Sequence, residues 1–387
     1  MKQVNLSQRM SGVKESATMA VDARAKQLAA DGRTIYNLTA GELASDTPDY
    51  IQAAVAKKLH LNKYTPPAGL PELRQAIAAS AKEFYSLDWI KPANVVVTAS
   101  TKPAMYASLL ALVNHGDEVI LPTPSWPTHN HLIELAGGVV IEVPMTDDFD
   151  LDVGAIAARI TPKTKAIVLN SPHNPTGAVF SDAALKRLAA TLKGSNITMV
   201  ADDIYVKLVY RDDFVPVPAY SFEHLVIING FSKSQALTGW RIGYLIADEA
   251  IAKAAASLLS HITGNAPVPS QHAALAALER GDRPPEATIK ALKRQRRLAD
   301  STLKQVPGLK YQLPAGAFYF YLDLRGITKD SAQWCEDLLN ATGVVLVPGE
   351  AFGTPGFARL TFTAPEPILK KALQELQKFI AGRAQAL

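Results

Sequence analysis

The stretch "KAIVLNSPHNPTGAVFSDAALKRLAATLKGSNITMVADD" (165–203) contains one complete unit of the fold. It opens on an apolar run and a turn rich in Pro, continues with apolar residues at helical spacing, and closes on a second apolar run. Short runs rich in Val and Ile predict buried strands, and a helix between two such runs is typical of a parallel crossover. The stretch therefore predicts a strand, a crossover helix and a parallel strand.

The same alternation extends outward from this unit. Further apolar runs lie at 94–100, 118–126 and 224–233, with helical patterns at 102–116 and 128–138. Strands and helices in alternation predict an α/β fold with a mostly parallel sheet sandwiched by helices. Ligands of such sheets bind outside the carboxyl ends of the strands, so the polar residues at those ends are the candidate site.

Length, charge and cysteine content bound the function. A chain of 387 residues exceeds what one hydrophobic core usually organises, which predicts a large domain and a smaller one. The formal net charge is only +4, with both signs interspersed, so no nucleic-acid partner is expected. The single cysteine, Cys335, excludes a disulfide framework and a multi-cysteine metal site, and we expect no metal.

The N-terminal sequence "MKQVNLSQRM" (1–10) has no apolar core of a signal peptide. No run of roughly 18 apolar residues occurs, so no membrane span is expected. These features predict a cytoplasmic protein without a membrane partner.

The predicted strands end in residues that together suit one kind of ligand. Those residues are Ser100, Thr101, Lys102, Trp126, Asn174, Asp202, Tyr205, Lys233 and Arg241. The first three open a helix, whose free N–H groups and dipole favour a phosphate. Lys233 can form an imine with a carbonyl group, and Trp126 offers an aromatic plate. The set predicts a site for an aromatic, phosphorylated carbonyl compound.

Each of these residues also has a purely structural explanation. An aspartate after a strand is more often a helix cap or turn residue, Trp126 can pack on a helix, and Lys233 can extend to solvent. Such explanations would have to hold at five strand ends at once, which favours the functional interpretation.

The stretch "GFSKSQALTGWRIG" (230–243) resembles the lysine signature of class I and II aminotransferases, the fold type I pyridoxal 5′-phosphate enzymes. Other motifs of that family follow the same order: "LTAGE", "KYTPPAGLPELRQAIA", "SPHNPTG", "ADDIY" and "ARLTF". The resemblance covers nearly the whole chain and is nearest to the aspartate and aromatic aminotransferase-like branch. It implies ping-pong transfer of an amino group from an L-amino acid to a 2-oxo acid such as 2-oxoglutarate.

The resemblance also implies roles for individual residues. Lys233 would be catalytic and would hold the cofactor covalently. Asp202 would pair with the pyridine nitrogen, and Tyr205 with Asn174 would bond the phenolic oxygen. Trp126 would stack on the ring. The phosphate would be held by Ser100, Thr101, Ser232 and Arg241, beside Lys102.

For the substrate, the resemblance assigns Arg359 in "FARLTF" (357–362) to the α-carboxylate, because a guanidinium can engage it bidentately. Gly41 would bring backbone close to that carboxylate, beside Trp126 and Asn174. Tyr64 resembles a tyrosine that reaches the phosphate of a neighbouring subunit. The functional unit is therefore expected to be a homodimer.

The domain division expected from these motifs is discontinuous. Residues 1–45 and 290–387 would form the small domain, and 46–289 the large cofactor-binding domain. The first piece would carry a helix from Ser16 to Gly32.

Two positions depart from the family pattern. Gly230 stands where many relatives carry a hydroxyl residue for the phosphate, and "GELASDTPDY" (41–50) replaces the usual Gly-Glu-Pro-Asp-Phe. The preferred amino acid and 2-oxo acid therefore stay open.

Other activities remain as alternatives. A pyridoxal-phosphate C–S β-lyase would use almost the same residues. A dinucleotide dehydrogenase lacks its G-x-G-x-x-G here, and a non-catalytic regulator would need an added DNA-binding domain.

Overall fold

A computed structural model describes residues 5, 7, 10, 13 and 17–384 of the chain. In this part of the chain the strands are Tyr36–Asn37 (β1), Val95–Thr98 (β2), Glu118–Thr123 (β3), Val139–Pro144 (β4), Thr164–Asn170 (β5), Thr198–Asp202 (β6), Leu225–Gly230 (β7), Gly243–Ile246 (β8), Lys310–Tyr311 (β9), Tyr319–Asp323 (β10), Val344–Val345 (β11), Val347–Pro348 (β12) and Phe357–Thr361 (β13).

The α-helices are Ala17–Ala30 (α1), Asp49–Ala56 (α2), Pro71–Tyr85 (α3), Thr101–Leu112 (α4), Pro127–Leu135 (α5), Val153–Ala158 (α6), Asp182–Leu192 (α7), Glu249–Ile262 (α8), Val268–Glu279 (α9), Glu286–Leu303 (α10), Ser331–Thr342 (α11) and Glu366–Ala384 (α12). The predicted crossover helices are present as α4, α5 and α7. Of the helix expected from Ser16 to Gly32, Ser16 lies outside the described residues, α1 covers Ala17–Ala30, and residues 31–32 form a turn.

The larger sheet has seven strands in the order β2-β8-β7-β6-β5-β3-β4. Pairing is parallel from β4 through β7, whereas β8 runs antiparallel to both β7 and β2. The prediction of a mostly parallel sheet is confirmed. Strands β4 and β8 were not anticipated, because β4 is a partly exposed edge strand and β8 is only 4 residues long.

Helices cover both faces of this sheet, as the alternation predicted. Along β2, Val95 and Val97 belong to one buried apolar cluster and Val96 belongs to another. Since successive side chains of a strand point to opposite faces, the two clusters are the two sides of one sheet. Both faces of the sheet are buried, which explains why its strands are continuous apolar runs in the sequence.

A second, four-stranded antiparallel sheet has the order β12-β13-β10-β9 and shares a separate core with α10, α11 and α12. In α12 the apolar residues Leu369, Leu373, Leu376 and Ile380 form a buried stripe. Ile368, by contrast, is 43% exposed. It precedes Leu369 by one position and is therefore rotated about 100° around the helix.

Strand β1 pairs in parallel with β11, which joins segments from near both ends of the chain. The expected boundary at 45/46 lies between β1 and α2, and that at 289/290 falls inside α10. The domain division itself stays a prediction. Within the described residues, no helix is both long and apolar enough to cross a membrane.

Candidate active site

A cavity of about 560 Å³ opens at the carboxyl ends of the parallel strands and is closed on one side by residues of α1 and of the second sheet. Its lining contains every predicted site residue except Tyr64. Those residues are Gly41, Ser100, Thr101, Lys102, Trp126, Asn174, Asp202, Tyr205, Ser232, Lys233, Arg241 and Arg359.

Lys233 reaches this cavity from the turn that follows β7. Its ammonium donates a hydrogen bond to the backbone carbonyl of Gly41. Burial lowers the pKa of Lys233 to about 8, against an upward pull from the Glu42 carboxylate. A lysine with this pKa is neutral for part of the time near pH 7, as a nucleophile or base must be.

Asp202 ends β6 and is 4% exposed. One carboxylate oxygen lies 3.0 Å from Nε2 of His129, a residue of α5. The Asp202 backbone carbonyl accepts a hydrogen bond of 2.8 Å from Asn170, whose own side-chain oxygen accepts from the backbone N–H of Asn174 at 2.9 Å. These contacts fix the carboxylate at the base of the cavity.

Arg359 lies on β13 and is 3% exposed. Its Nη1 donates to the side-chain oxygen of Asn174 at 2.9 Å, and its Nη2 donates to the backbone carbonyl of Thr39 at 2.8 Å. Its Nε is buried without a hydrogen-bond partner among the described residues. A buried guanidinium with a free donor is prepared to receive a carboxylate.

The opposite part of the lining has the features of an anion site. Ser100 precedes α4 with φ of 90°, and Thr101 is the first residue of that helix. Arg241 also has a positive φ, 54°, and donates to the Thr238 carbonyl at 2.7 Å. Helix N-terminus and guanidinium together suit a phosphate.

Close packing explains the departure at Gly230. A Cβ added there would lie 3.0 Å from the Cα of Gly243 and 3.4 Å from the Thr101 methyl group. A hydroxyl-bearing side chain at this position would require these neighbours to shift by a few tenths of an ångström. The hydroxyl groups on this side of the cavity come instead from Ser100, Thr101 and Ser232.

Trp126 immediately precedes α5 and its ring meets that of His129 edge-to-face, with centroids 5.2 Å apart. On the cavity side, the Lys102 ammonium lies 5.4 Å from the Trp126 ring centroid. Burial lowers the pKa of Lys102, and the Arg241 charge lowers it further. The Trp126 ring and the Lys102 ammonium therefore lie on the same wall of the cavity.

Tyr64 is 97% exposed and does not join the cavity of its own chain. This position agrees with a contact to another subunit, which stays a prediction. Leu59 and Leu61 nearby are also exposed, at 60% and 43%.

Several lining residues were missed from the sequence. They are Met19, Asp22, Ala23, Lys26, Asn37, Thr39, Ala40, Glu42, Asn170, Ile204 and Tyr319. Asn170 alone carried a usable signal, since it ends a predicted strand. His129, which contacts Asp202 from behind, had none, because nothing in "PTHNHLIEL" (127–135) distinguishes it from His131.

The donor set fits pyridoxal 5′-phosphate. The helix N-terminus and Arg241 suit the phosphate, and the Asp202 carboxylate suits a protonated ring nitrogen. The Trp126 ring can stack on the cofactor ring, and the Lys233 amine can react with the aldehyde. Together with the parallel sheet, these residues define a fold type I pyridoxal-phosphate enzyme.

Comparison with known proteins narrows this class. The model of the family "Aminotransferase class I and II" matches residues 33–376. The chain belongs to this family, and it is a pyridoxal-phosphate-dependent aminotransferase acting on amino acids and 2-oxo acids. The β-lyase alternative is not favoured.

Individual relatives align with this chain over nearly their full length. The chain is 39% identical to an aspartate aminotransferase of Thermotoga maritima, covering 98% of this chain and 100% of the relative. It is 37% identical to an aspartate/prephenate aminotransferase of Thermus thermophilus, covering 98% and 99%. The crystal structure of the Thermus thermophilus aspartate aminotransferase with maleate superposes with a TM-score of 0.93, at 37% identity over 97% of this chain and 100% of that chain.

Proposed function

We propose that this aminotransferase prefers amino acids with two carboxylates, of which aspartate is the smallest, with 2-oxoglutarate as a partner 2-oxo acid. The observation that carries the proposal is the position of Lys102. Its ammonium faces Trp126 inside the cavity and has no salt-bridge partner among the described residues. With Arg359, the cavity thus offers two cations for two carboxylates.

The other lysine of the lining does not serve equally well. Lys26 pairs with Asp22 at 2.7 Å, and its side chain is 75% exposed. Its charge is therefore already compensated and screened by solvent. Lys102 is exposed as well, but no carboxylate pairs with it among the described residues, so its charge is available to an incoming carboxylate.

The names of the relatives support this substrate class. Those described above are called aspartate or aspartate/prephenate aminotransferases, and the Thermus structure was determined with maleate, a four-carbon dicarboxylate. Prephenate also carries two carboxylates, so it enters the test as a second acceptor.

The chemistry follows from the residues in place. When bound, the cofactor supplies an electron-withdrawing ring that acidifies the Cα–H bond of the amino acid. Asp202 maintains the protonated ring nitrogen. Lys233 would take the proton from Cα as general base and, as general acid, deliver it to the cofactor carbon that bears the amino nitrogen, and water would then release the 2-oxo acid. Arg359 orients the α-carboxylate with Asn174.

Amino acid and 2-oxo acid occupy this cavity in turn. Both carry an α-carboxylate, so Arg359 serves both, and a ping-pong order follows. The same residues run the second half-reaction in reverse.

We also propose a homodimer in which Tyr64 contacts the neighbouring active site. Beside Arg241, a surface depression of about 440 Å³ is lined by Thr47, Gly239 and Trp240. It shares Arg241 with the phosphate side of the cavity, where an exposed tyrosine from another subunit would arrive. The cytoplasmic location stays a prediction from the sequence.

A single-turnover experiment tests the proposed reaction. L-Aspartate added to the cofactor-loaded enzyme without a 2-oxo acid should convert the visible absorption to that of pyridoxamine phosphate, with one oxaloacetate released per site. 2-Oxoglutarate or prephenate should restore it. Borohydride should fix the cofactor on Lys233, and Lys233→Ala should abolish both results. Continuous release of pyruvate and ammonia from cysteine conjugates would contradict the proposal.

Substrate choice is tested at Lys102. Lys102→Ala should raise KM for aspartate by roughly 10- to 100-fold, the cost of a lost charged hydrogen bond, and leave alanine turnover nearly unchanged. Lys26→Ala is the matched control, since Lys26 also lines the cavity. Equal losses for aspartate and alanine would assign Lys102 to the cofactor instead.

A further inference from the structure

Tyr319 contacts two residues to which the family resemblance gives different roles, Tyr205 toward the cofactor and Arg359 toward the substrate. It begins β10, is 1% exposed, and lines the cavity. Its hydroxyl oxygen lies 2.7 Å from that of Tyr205. On its ring face, the Arg359 guanidinium lies 4.5 Å from the ring centroid.

The Tyr205 and Tyr319 hydroxyl groups have only one hydrogen each to donate. If Tyr205 donates to the phenolic oxygen of the cofactor, its hydrogen is no longer free for Tyr319. The 2.7 Å contact then requires Tyr319 to donate to the Tyr205 oxygen. Hydrogen bonds in such a chain polarise one another and strengthen.

The buried charge of Arg359 needs stabilising contacts. Two of its nitrogens donate hydrogen bonds to Asn174 and Thr39. Its guanidinium also lies over the rings of Tyr319 and Phe352, the latter at 5.1 Å. No carboxylate forms a salt bridge with it among the described residues. The aromatic faces therefore stabilise the buried cation before a substrate arrives.

We propose that Tyr319 is a positioning residue for transamination: its hydroxyl donates to Tyr205 and strengthens the Tyr205 hydrogen bond to the cofactor, while its ring holds Arg359 for the substrate carboxylate. The inference rests on the proposed roles of Tyr205 and Arg359. It assigns Tyr319 two separable functions, one in the hydroxyl and one in the ring.

The charged groups that act on the tyrosine pair are Arg359 and Asp202. Burial raises the pKa of Tyr319, while Arg359 and the Tyr205 hydrogen bond oppose this rise. Both phenols therefore keep their hydrogens at neutral pH, as the chain of donors requires.

The hydroxyl is tested by a pH titration of the bound cofactor, read from its visible absorption in the cofactor-loaded enzyme. Tyr319→Phe should raise the pKa of this spectral change by roughly 0.2 to 0.7 unit, because a neighbouring bond strengthens a hydrogen bond by roughly 10–30%. A fall would mean that Tyr205 donates to Tyr319, and no shift would mean that the two are uncoupled. Either result overturns the inference.

Two control variants distinguish failure of the Tyr319 proposal from failure of the proposed function. Tyr205→Phe should raise the same pKa by more than Tyr319→Phe. If Tyr205→Phe has no effect, the assignment of Tyr205 to the cofactor fails, and the Tyr319 relay fails with it. Tyr321→Phe removes another buried hydroxyl of β10, one bonded to Thr354 outside the cavity, and should leave the pKa unchanged.

The ring is tested by steady-state kinetics. Tyr319→Leu should raise KM for the amino acid by roughly 10- to 30-fold, the value of a desolvated cation–π contact. Tyr319→Phe keeps the ring and should change KM less than about 3-fold. Equal KM values in the two variants would overturn the ring's role. If the leucine variant does not fold, a KM for Tyr319→Phe more than about 3-fold above that of the unchanged enzyme would overturn it, because phenylalanine keeps the ring.

Discussion

The amine of Lys233 in the cofactor-free protein should titrate near pH 8. Burial is the largest cause, because the cavity disfavours the ammonium. Arg241 and Arg359 lower the pKa further, while Glu42 and Asp202 raise it. Since the neutral amine attacks the aldehyde, capture of pyridoxal phosphate should follow this titration.

The size of the effect follows from the two pKa values. At pH 7 a group with a pKa of about 8 is roughly 9% neutral, whereas a lysine at the ordinary 10.5 is roughly 0.03% neutral. Burial therefore increases the reactive fraction by about 300-fold. Between pH 7 and pH 9 the capture rate should rise about tenfold and then level off.

Stopped-flow mixing of cofactor-free protein with pyridoxal phosphate, between about pH 6.5 and about pH 10, measures this rate from the visible absorption. A free lysine derivative under the same conditions corrects for ionisation of the cofactor. Glu42→Gln should move the midpoint to lower pH, and Arg359→Leu should move it to higher pH. A midpoint near 10.5, or an upward shift in Glu42→Gln, would refute the reasoning.

Two further predictions concern the division of roles and the dimer. Asp202→Asn should lower kcat far more than substrate binding, whereas Arg359→Leu should chiefly raise KM and cost about 2–4 kcal/mol in kcat/KM. Similar kinetic changes in both variants would contradict separate roles. Mixing Lys233→Ala with Tyr64→Ala subunits should restore activity, because one site of each mixed dimer then has an intact Lys233 and an intact Tyr64 from its partner. A mixture no more active than its parts would exclude action between subunits.

Much of the large sheet could be predicted because its signals are local. The unit at 165–203 became β5, α7 and β6 at nearly the expected bounds. The Ser181 hydroxyl oxygen caps α7 by accepting a hydrogen bond from the Ala184 N–H at 3.1 Å. Strand β8 was not predicted because it has only four residues and begins at Gly243, the last residue of the lysine signature, without a turn signal of its own. Its antiparallel direction depends on pairing with β7 and β2, which is tertiary information.

The residues of the candidate site likewise fall into those that the sequence predicts and those that depend on tertiary packing. Residues at strand ends were predictable, because parallel strands end at one edge of a sheet. Arg359 was reached only through the family resemblance, since nothing local marks an arginine on β13. His129 and Tyr319 support Asp202 and Tyr205 from other elements, at 3.0 Å and 2.7 Å. Such supporting contacts are set by packing, which sequence patterns do not encode.

The phosphate side of the cavity shows where the fold accepts backbone strain. Ser100 and Arg241 have φ of 90° and 54°, in the region that favours glycine. Each such residue costs about 1–3 kcal/mol and persists only where surrounding structure holds it. The tight packing of Gly230 and Gly243 against Ser100 and Thr101 provides that hold. The glycine at 230 therefore has a structural role, because it lets β7 and the start of α4 approach closely. This close approach sets the conformation of the residues proposed to bind the phosphate.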